Sequence, residues 1–467
     1  MPHVVTSTNS ADGGFARLRA EFELPEDFDP AVLAEAESVV MDPSEFAADR
    51  AEATDLPLVT LDPPGVKDLD QAILIERRAH GFRVHYAIAD LAAFVAPRGP
   101  IDREARRRGQ TLYLPDGTVP LHPPVLSEGA ASLLPGEVRP AVLWTLDLDG
   151  DGELVDATVH RALVRSTEQL DYASEDPAAP HPAIAALPEL GTLRRELAVR
   201  RGAVEPQLPD RIIGANGGDW VLGMRPRTRL EAWNAEISLL TGMAAARMMI
   251  DARIGLLRTV PAPDAETLQW LRGAAVALGI DWPAATSVAE LLAGLDPAQP
   301  ESMAFYTDTT RLLRGAGYTT FDGELPETVA HAGIGAPYAH VTAPIRRLAD
   351  RFATEVCLAV TANRPVPAWA REALSELPGL MSGSDLLAAR VEKACLDQVE
   401  AWMLADRVGE TFEAVVLRAE ENRAEILLAD PPVMARCAGE NLPEGRRITV
   451  RLGAVDVDKR KVSFERA

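Results

Sequence analysis

The chain has 467 residues, 47% hydrophobic and 25% charged, more than one core usually holds, so two or three domains are expected. Its net charge of −23 opposes polyanion binding by the molecule as a whole, because phosphate neutralisation dominates such affinity. Three cysteines, Cys357, Cys395 and Cys437, exclude a disulfide framework or zinc cluster, and neither a leader-like N-terminus nor a run of about 18 apolar residues occurs; buried thiols and a cytoplasmic location are expected.

Residues 1 to about 55 read as a lead-in: a polar tail, then a helical pattern over Pro30–Val40 with Asp29 placed as its cap. The stretch from Leu58 to Ile75 is the most informative in the first half. Two strand-like runs flank Pro63-Pro64-Gly65, and Asp62, Asp68 and Asp70 fall within nine residues where the chain turns. An extended Asp68-Leu69-Asp70 puts both carboxylates on one face and Leu69 inside. Carboxylates this close need a divalent cation to stay ionised together, and hard oxygen donors suit Mg2+ or Mn2+. Turns also favour aspartate for backbone reasons, so spacing alone leaves both readings open.

Phe82–Asp90 alternates and then turns apolar, as a strand entering a core does. Ile101–Gln110, with Asp102, Arg103 and Arg106 to Arg108, reads as a helix with a solvated face first and a phosphate contact second. Asp147-Leu148-Asp149-Gly150-Asp151 imitates a calcium loop, but Thr158 stands where the closing glutamate belongs and the flanks read as strands, which predicts a hairpin turn. A helix is predicted from Thr228 to Ile254, with Trp233, Glu236, Ile237 and Leu240 on one stripe. Glu236 would therefore point inward with apolar residues, where an unpaired carboxylate is costly. Gly255 to Leu325 shows helical patterns and proline breaks without legible chemistry.

In His331–Arg351, Thr342 offers a capping hydroxyl, Pro344 suits a first helical turn, and Arg346 and Arg347 would stand in that turn as an anion site. The bland alternative pairs Arg346 with Asp350. Ser384–Val408 reads as one long amphipathic helix. Beyond Gly409, short runs over Thr411–Leu417, Arg423–Leu428, Val433–Cys437, Arg447–Leu452 and Val462–Phe464 fit a small closed barrel of the OB type.

The segment Asp62-Pro63-Pro64-Gly65-Val66-Lys67-Asp68-Leu69-Asp70-Gln71 resembles the signature of the RNB family, the ribonuclease II type of exoribonuclease, with Gln71 where the family has a fourth aspartate. Thr342-Ala343-Pro344-Ile345-Arg346-Arg347 with Asp350 resembles the second signature, about 270 residues on and in the right order. The resemblance implies an α/β (α+β) RNB catalytic domain over residues 56–407, without cold-shock barrels in front, followed by an OB-fold RNA-binding barrel over 409–467. It implies 3′-to-5′ hydrolysis of single-stranded RNA to nucleoside 5′-monophosphates. Asp62, Asp68, Asp70 and Gln71 would hold Mg2+, or Mn2+ in its place, while Asp70, Arg346, Glu236 and Tyr172 would be catalytic or positioning groups. Tyr113 would stack on a base, and Arg347 would contact RNA. Lysine is scarce, and 43 of the 47 basic residues are arginine, whose planar fork grips phosphate locally even on an acidic molecule. A relative that binds RNA without turnover through Gln71, and a phosphoesterase for small substrates, are the rival expectations.

Overall fold

The computed structural model describes residues 15–40, 49–206, 208–216 and 218–467, so the polar tail of the lead-in lies outside the described residues. Helix α1 (Pro30–Val40) is capped as expected, the Asp29 carboxylate accepting the Ala31 N–H at 2.8 Å.

Five strands form the centre: β1 (Leu58–Asp62), β2 (Gln71–Arg78), β3 (Gly81–Ala89), β4 (Val138–Leu148) and β5 (Leu154–Asp171). β2, β3 and β4 pair antiparallel in sequence order. β5 is long enough to serve both ends: residues up to Arg165 pair with β4, and Ser166–Asp171 run parallel to β1. The sheet therefore curls until its two ends share one strand. β1, flanked by β2 and β5, is buried from Leu58 to Leu61 and delivers Asp62 at its end. Between β4 and β5 lies the expected hairpin turn, with Asp149 Oδ1 accepting the N–H groups of Asp151 and Glu153.

The helices that bear on the site are α2 (Pro100–Arg108), α3 (Leu187–Arg200), α4 (Arg229–Ala252), α5 (Ala265–Leu278), α6 (Val288–Gly294), α7 (Pro300–Thr309), α8 (Leu348–Thr361) and α9 (Leu377–Leu404). α4 opens with a reciprocal cap between Thr228 and Glu231. It stops short of Ile254 because Arg253 takes a left-handed conformation (φ 56°) and Ile254 begins a strand. α9 starts seven residues before Ser384 and ends before Val408.

α2 has the expected solvated face at Arg103 and Arg107, while its other charges are turned inward. Asp102 is fully buried and accepts Arg351 Nη1 at 2.7 Å, Arg106 pairs with Asp102 and Glu376, and Arg107 and Arg108 pair with Glu104. Arg351 and Glu376 thus tie α2 to α8 and to the start of α9, and Arg106 and Arg108 are engaged in these internal pairs.

The C-terminal strands β6 (Thr411–Glu420), β7 (Arg423–Leu428), β8 (Met434–Ala438), β9 (Arg447–Asp456) and β10 (Lys461–Arg466) close into a barrel in the order β6-β7-β8-β10-β9. Phe412 and Phe464 are buried and meet edge-to-face, 5.8 Å between centroids, so they fill the barrel instead of presenting stacking faces. Asp308 of α7 accepts Arg418 of β6 at 3.2 Å, joining barrel to body. No helix among the described residues is long and apolar enough to cross a membrane, and all three cysteines are buried free thiols.

Candidate active site

From the end of β1 the chain turns over Pro63-Pro64 and returns extended into β2. Leu69 is fully buried, its N–H donating to Ser132 Oγ and its carbonyl accepting the Leu133 N–H, both at 3.0 Å. With Leu69 anchored inward, Asp68 and Asp70 share the opposite side, where the Arg346 guanidinium acts on both.

The two distant signatures meet at Asp70. Its Oδ1 accepts the Ile345 N–H at 2.8 Å, and its Oδ2 lies 3.4 Å from Arg346 Nε. Burial pushes the Asp70 carboxyl up to about 8 although Arg346 opposes the rise. Burial, reinforced by the neighbouring charge of Asp68, pushes Asp62 up to about 7, and burial also raises Asp68. Three carboxylates are thus held where they resist ionising together.

Residues 342–347 are not the start of a helix. α8 begins at Leu348, with Arg347 extended before it (φ −136°, ψ 127°). The reason is long-range: the Thr111 N–H donates to the Arg346 carbonyl and the Leu348 N–H to the Gly109 carbonyl, both at 3.0 Å. Asp350 takes the Ala343 N–H at 2.7 Å and both Nε and Nη2 of Arg347 at 2.9 Å. Arg347, expected to contact RNA, is therefore occupied by Asp350, and Arg346 faces the aspartates.

The same strapping carries Tyr113 to the cluster, on a short hairpin of Leu112–Leu114 and Gly117–Val119. Its hydroxyl donates to Asp68 Oδ2 at 3.2 Å. Tyr172 follows β5 and stands near Asp62, whose charge helps burial raise its phenol. Asn234 Nδ2 of α4 donates to the Tyr172 hydroxyl at 2.7 Å, and Ser238 shares a 2.8 Å hydrogen bond with Thr342.

Gln71 and Glu236 are placed differently from expectation. Gln71 Nε2 donates to the Thr342 carbonyl at 2.6 Å and its Oε1 accepts the Tyr86 hydroxyl, so its amide ties β2 to the second signature. Glu236 is inward as its spacing predicts, but it lies on the other face of α4, among the charges of Arg194 and Arg201. The stripe that reaches the site is Asn234 and Ser238, one helical turn apart and about 200° round from Glu236 for Asn234. Asn234 and Ser238 escape a reading by apolar stripe, although an i, i+4 polar pair opposite that stripe is a legible signal.

Asp62 Oδ2 is buried with no hydrogen-bond partner among the described residues. Among them, too, no three His, Cys, Asp or Glu side chains form a metal-holding group. The donors that fit a hard divalent cation are Asp62 and Asp68, one carrying that unpartnered oxygen. Mg2+ is commonly held by one or two carboxylates while it keeps several waters. Asp70 and Gln71 are engaged by Ile345, Arg346, Thr342 and Tyr86.

Comparison with known families matches residues 50–361 to the RNB domain and residues 410–467 to the RNase II-type exonuclease C-terminal S1 domain. The chain belongs to the RNB family. Within the RNB family it is 28% identical to Ribonuclease R of Escherichia coli (strain K12) over 482 residues, covering 90% of this chain and 58% of that protein. It thus spans under two thirds of that relative's length. The structure of Mycoplasma genitalium RNase R in complex with ribose methylated single-stranded RNA has the same fold, with TM-score 0.86 at 19% identity over 97% of this chain and 77% of that one. An RNB domain of α/β content followed by an S1 barrel of the OB type is therefore the fold of this chain. The chain is also 29% identical over 365 residues, 69% of its length and 34% of the other's, to a protein of Arabidopsis thaliana named Inactive exonuclease DIS3L2.

Proposed function

We propose that this RNB protein is a 3′-to-5′ exoribonuclease that hydrolyses single-stranded RNA to nucleoside 5′-monophosphates. The observation that carries the reading is the contact between Asp70 and Arg346, which joins two signatures far apart in sequence beside two further aspartates. RNA bound by a similarly folded relative, and the name Ribonuclease R of a homologue, support the substrate class.

Asp62 and Asp68 would hold Mg2+, or Mn2+ in its place. The chemistry such an ion supplies is Lewis acidity toward water and phosphate oxygen. Asp70 holds Arg346, and Arg346 offers a fixed positive charge to a phosphate entering beside the aspartates. Tyr113 and Tyr172 border the same space and give aromatic surface to a terminal nucleotide. The amide oxygen of Asn234, buried without a partner among the described residues, is an acceptor suited to a sugar hydroxyl.

The test is an end-labelled oligoribonucleotide with Mg2+, scored for mononucleotide release. Asp70→Asn should abolish release while RNA is still retained; undiminished release would remove the proposed site. Gln71, an amide already engaged where the family has an aspartate, favours one second reading: an RNA-binding protein without turnover. Retention of RNA by the native chain with no mononucleotide released would select it.

A further inference from the structure

Behind α4, on the side away from the aspartates, α3, α4 and α6 flank a half-open cavity of about 400 Å³. Arg195, Glu205, Arg229, Trp233, Glu236 and Leu292 are among the residues that line it. Its size lies within the range of small-molecule sites, and it combines one large aromatic with charges of both signs.

Its polar groups are incompletely satisfied. Glu236 is 4% exposed, and its Oε2 finds no partner among the described residues. Arg201, whose charge acts on Glu236 although it does not line the cavity, likewise has its three guanidinium nitrogens buried and unpartnered among them. Leaving the buried Glu236 carboxylate in the cavity wall short of a hydrogen bond is costly, so the cavity calls for an occupant that can donate to it. Trp233 packs directly on α3, where a methyl group added at Gly191 would lie 2.4 Å from its Cβ.

We propose that this cavity is a second nucleotide site, which takes a nucleoside 5′-monophosphate of the kind the proposed nuclease reaction releases. A base would lie on Trp233, ribose hydroxyls would donate to Glu236, and the phosphate would meet Arg195 and Arg229. The choice of this ligand rests on the exoribonuclease reading; the existence of the site does not. α4 is the shared wall, with Trp233 and Glu236 on one face and Asn234 and Ser238 on the other.

The test is calorimetric titration of the full chain with adenosine 5′-monophosphate, in chelator and without RNA. Saturable binding with Kd below about 1 mM is expected. Arg195→Ala and Arg229→Ala, both changed at the cavity's rim, should each weaken it about tenfold with circular dichroism unchanged, whereas Arg346→Ala should leave it intact. No saturable binding overturns the site, as does binding lost in Arg346→Ala and kept in the two rim variants, which would put the nucleotide at the aspartates. RNA cleavage by the native chain is scored separately, so a chain that binds the nucleotide and cuts no RNA refutes the nuclease reading alone.

Discussion

At the level of single side chains, Gln71 decides more than its place in a metal set would suggest. Its amide satisfies a backbone carbonyl on one side and a buried phenol on the other. Gln71→Asp restores the family's carboxylate but shortens the side chain and removes the donor, leaving Thr342 and Tyr86 unsatisfied. That should cost about 1–3 kcal/mol. Urea unfolding in chelator checks the loss, and a variant as stable as the native chain would show that the two hydrogen bonds contribute nothing. Mg2+ should narrow the gap, since a new carboxylate beside Asp62 and Asp68 gains from a cation bound only in the folded state. Much of this cluster is legible in sequence: Asp62, Asp68, Asp70, Tyr113, Tyr172 and Arg346 are brought together. What is not legible is which atoms the protein already uses. The Asp350 clamp on Arg347 and the Thr342 contact of Gln71 are tertiary choices with no local signal.

Among the elements, α4 braces two sides of the site, through Tyr172 and Thr342, and it closely approaches the 336–342 segment that leads into the second signature. A Cβ at Gly242 would stand 2.1 Å from the Tyr338 ring and 2.6 Å from the Ala339 carbonyl oxygen. Backbone cannot yield that far, so Gly242→Ala should destabilise the chain by about 2–3 kcal/mol. It should also weaken mononucleotide release more than stability alone explains, because Ser238 loses its register with Thr342. Thermal melts and cleavage rates measured well below the melting temperature separate the two effects; an unaltered melt would mean the segment moves aside freely. Helix existence is readable here from apolar periodicity, as for α1, α4 and α9. The boundaries at 348 and 377 are not, since Thr342 and Pro344 look like a helix start until pairing with residues 109–111 holds them in a turn. Face assignment failed for a related reason: the inward stripe of α4 packs on α3, and the polar stripe faces the chemistry.

Across the whole molecule, body and barrel are coupled by a titratable contact. Asp308 is almost wholly buried on α7, and burial together with the charge of Glu444 holds its carboxyl up at about 6 although Arg418 opposes the rise. Because the folded chain binds this proton more tightly than the unfolded one, the contribution to stability is complete below the ordinary value of 3.8. It is lost as the pH climbs through about 6. Asp308→Asn should therefore flatten the fall in unfolding free energy between about pH 4 and 7 relative to the native chain. Parallel slopes for the two proteins would mean the carboxyl titrates normally. The strap between residues 109–111 and 346–348 has a different consequence. The Tyr113 hairpin and the Arg346 backbone are joined by the same pair of backbone hydrogen bonds. Any ligand touching both residues must match the one span that this pairing sets between their backbones.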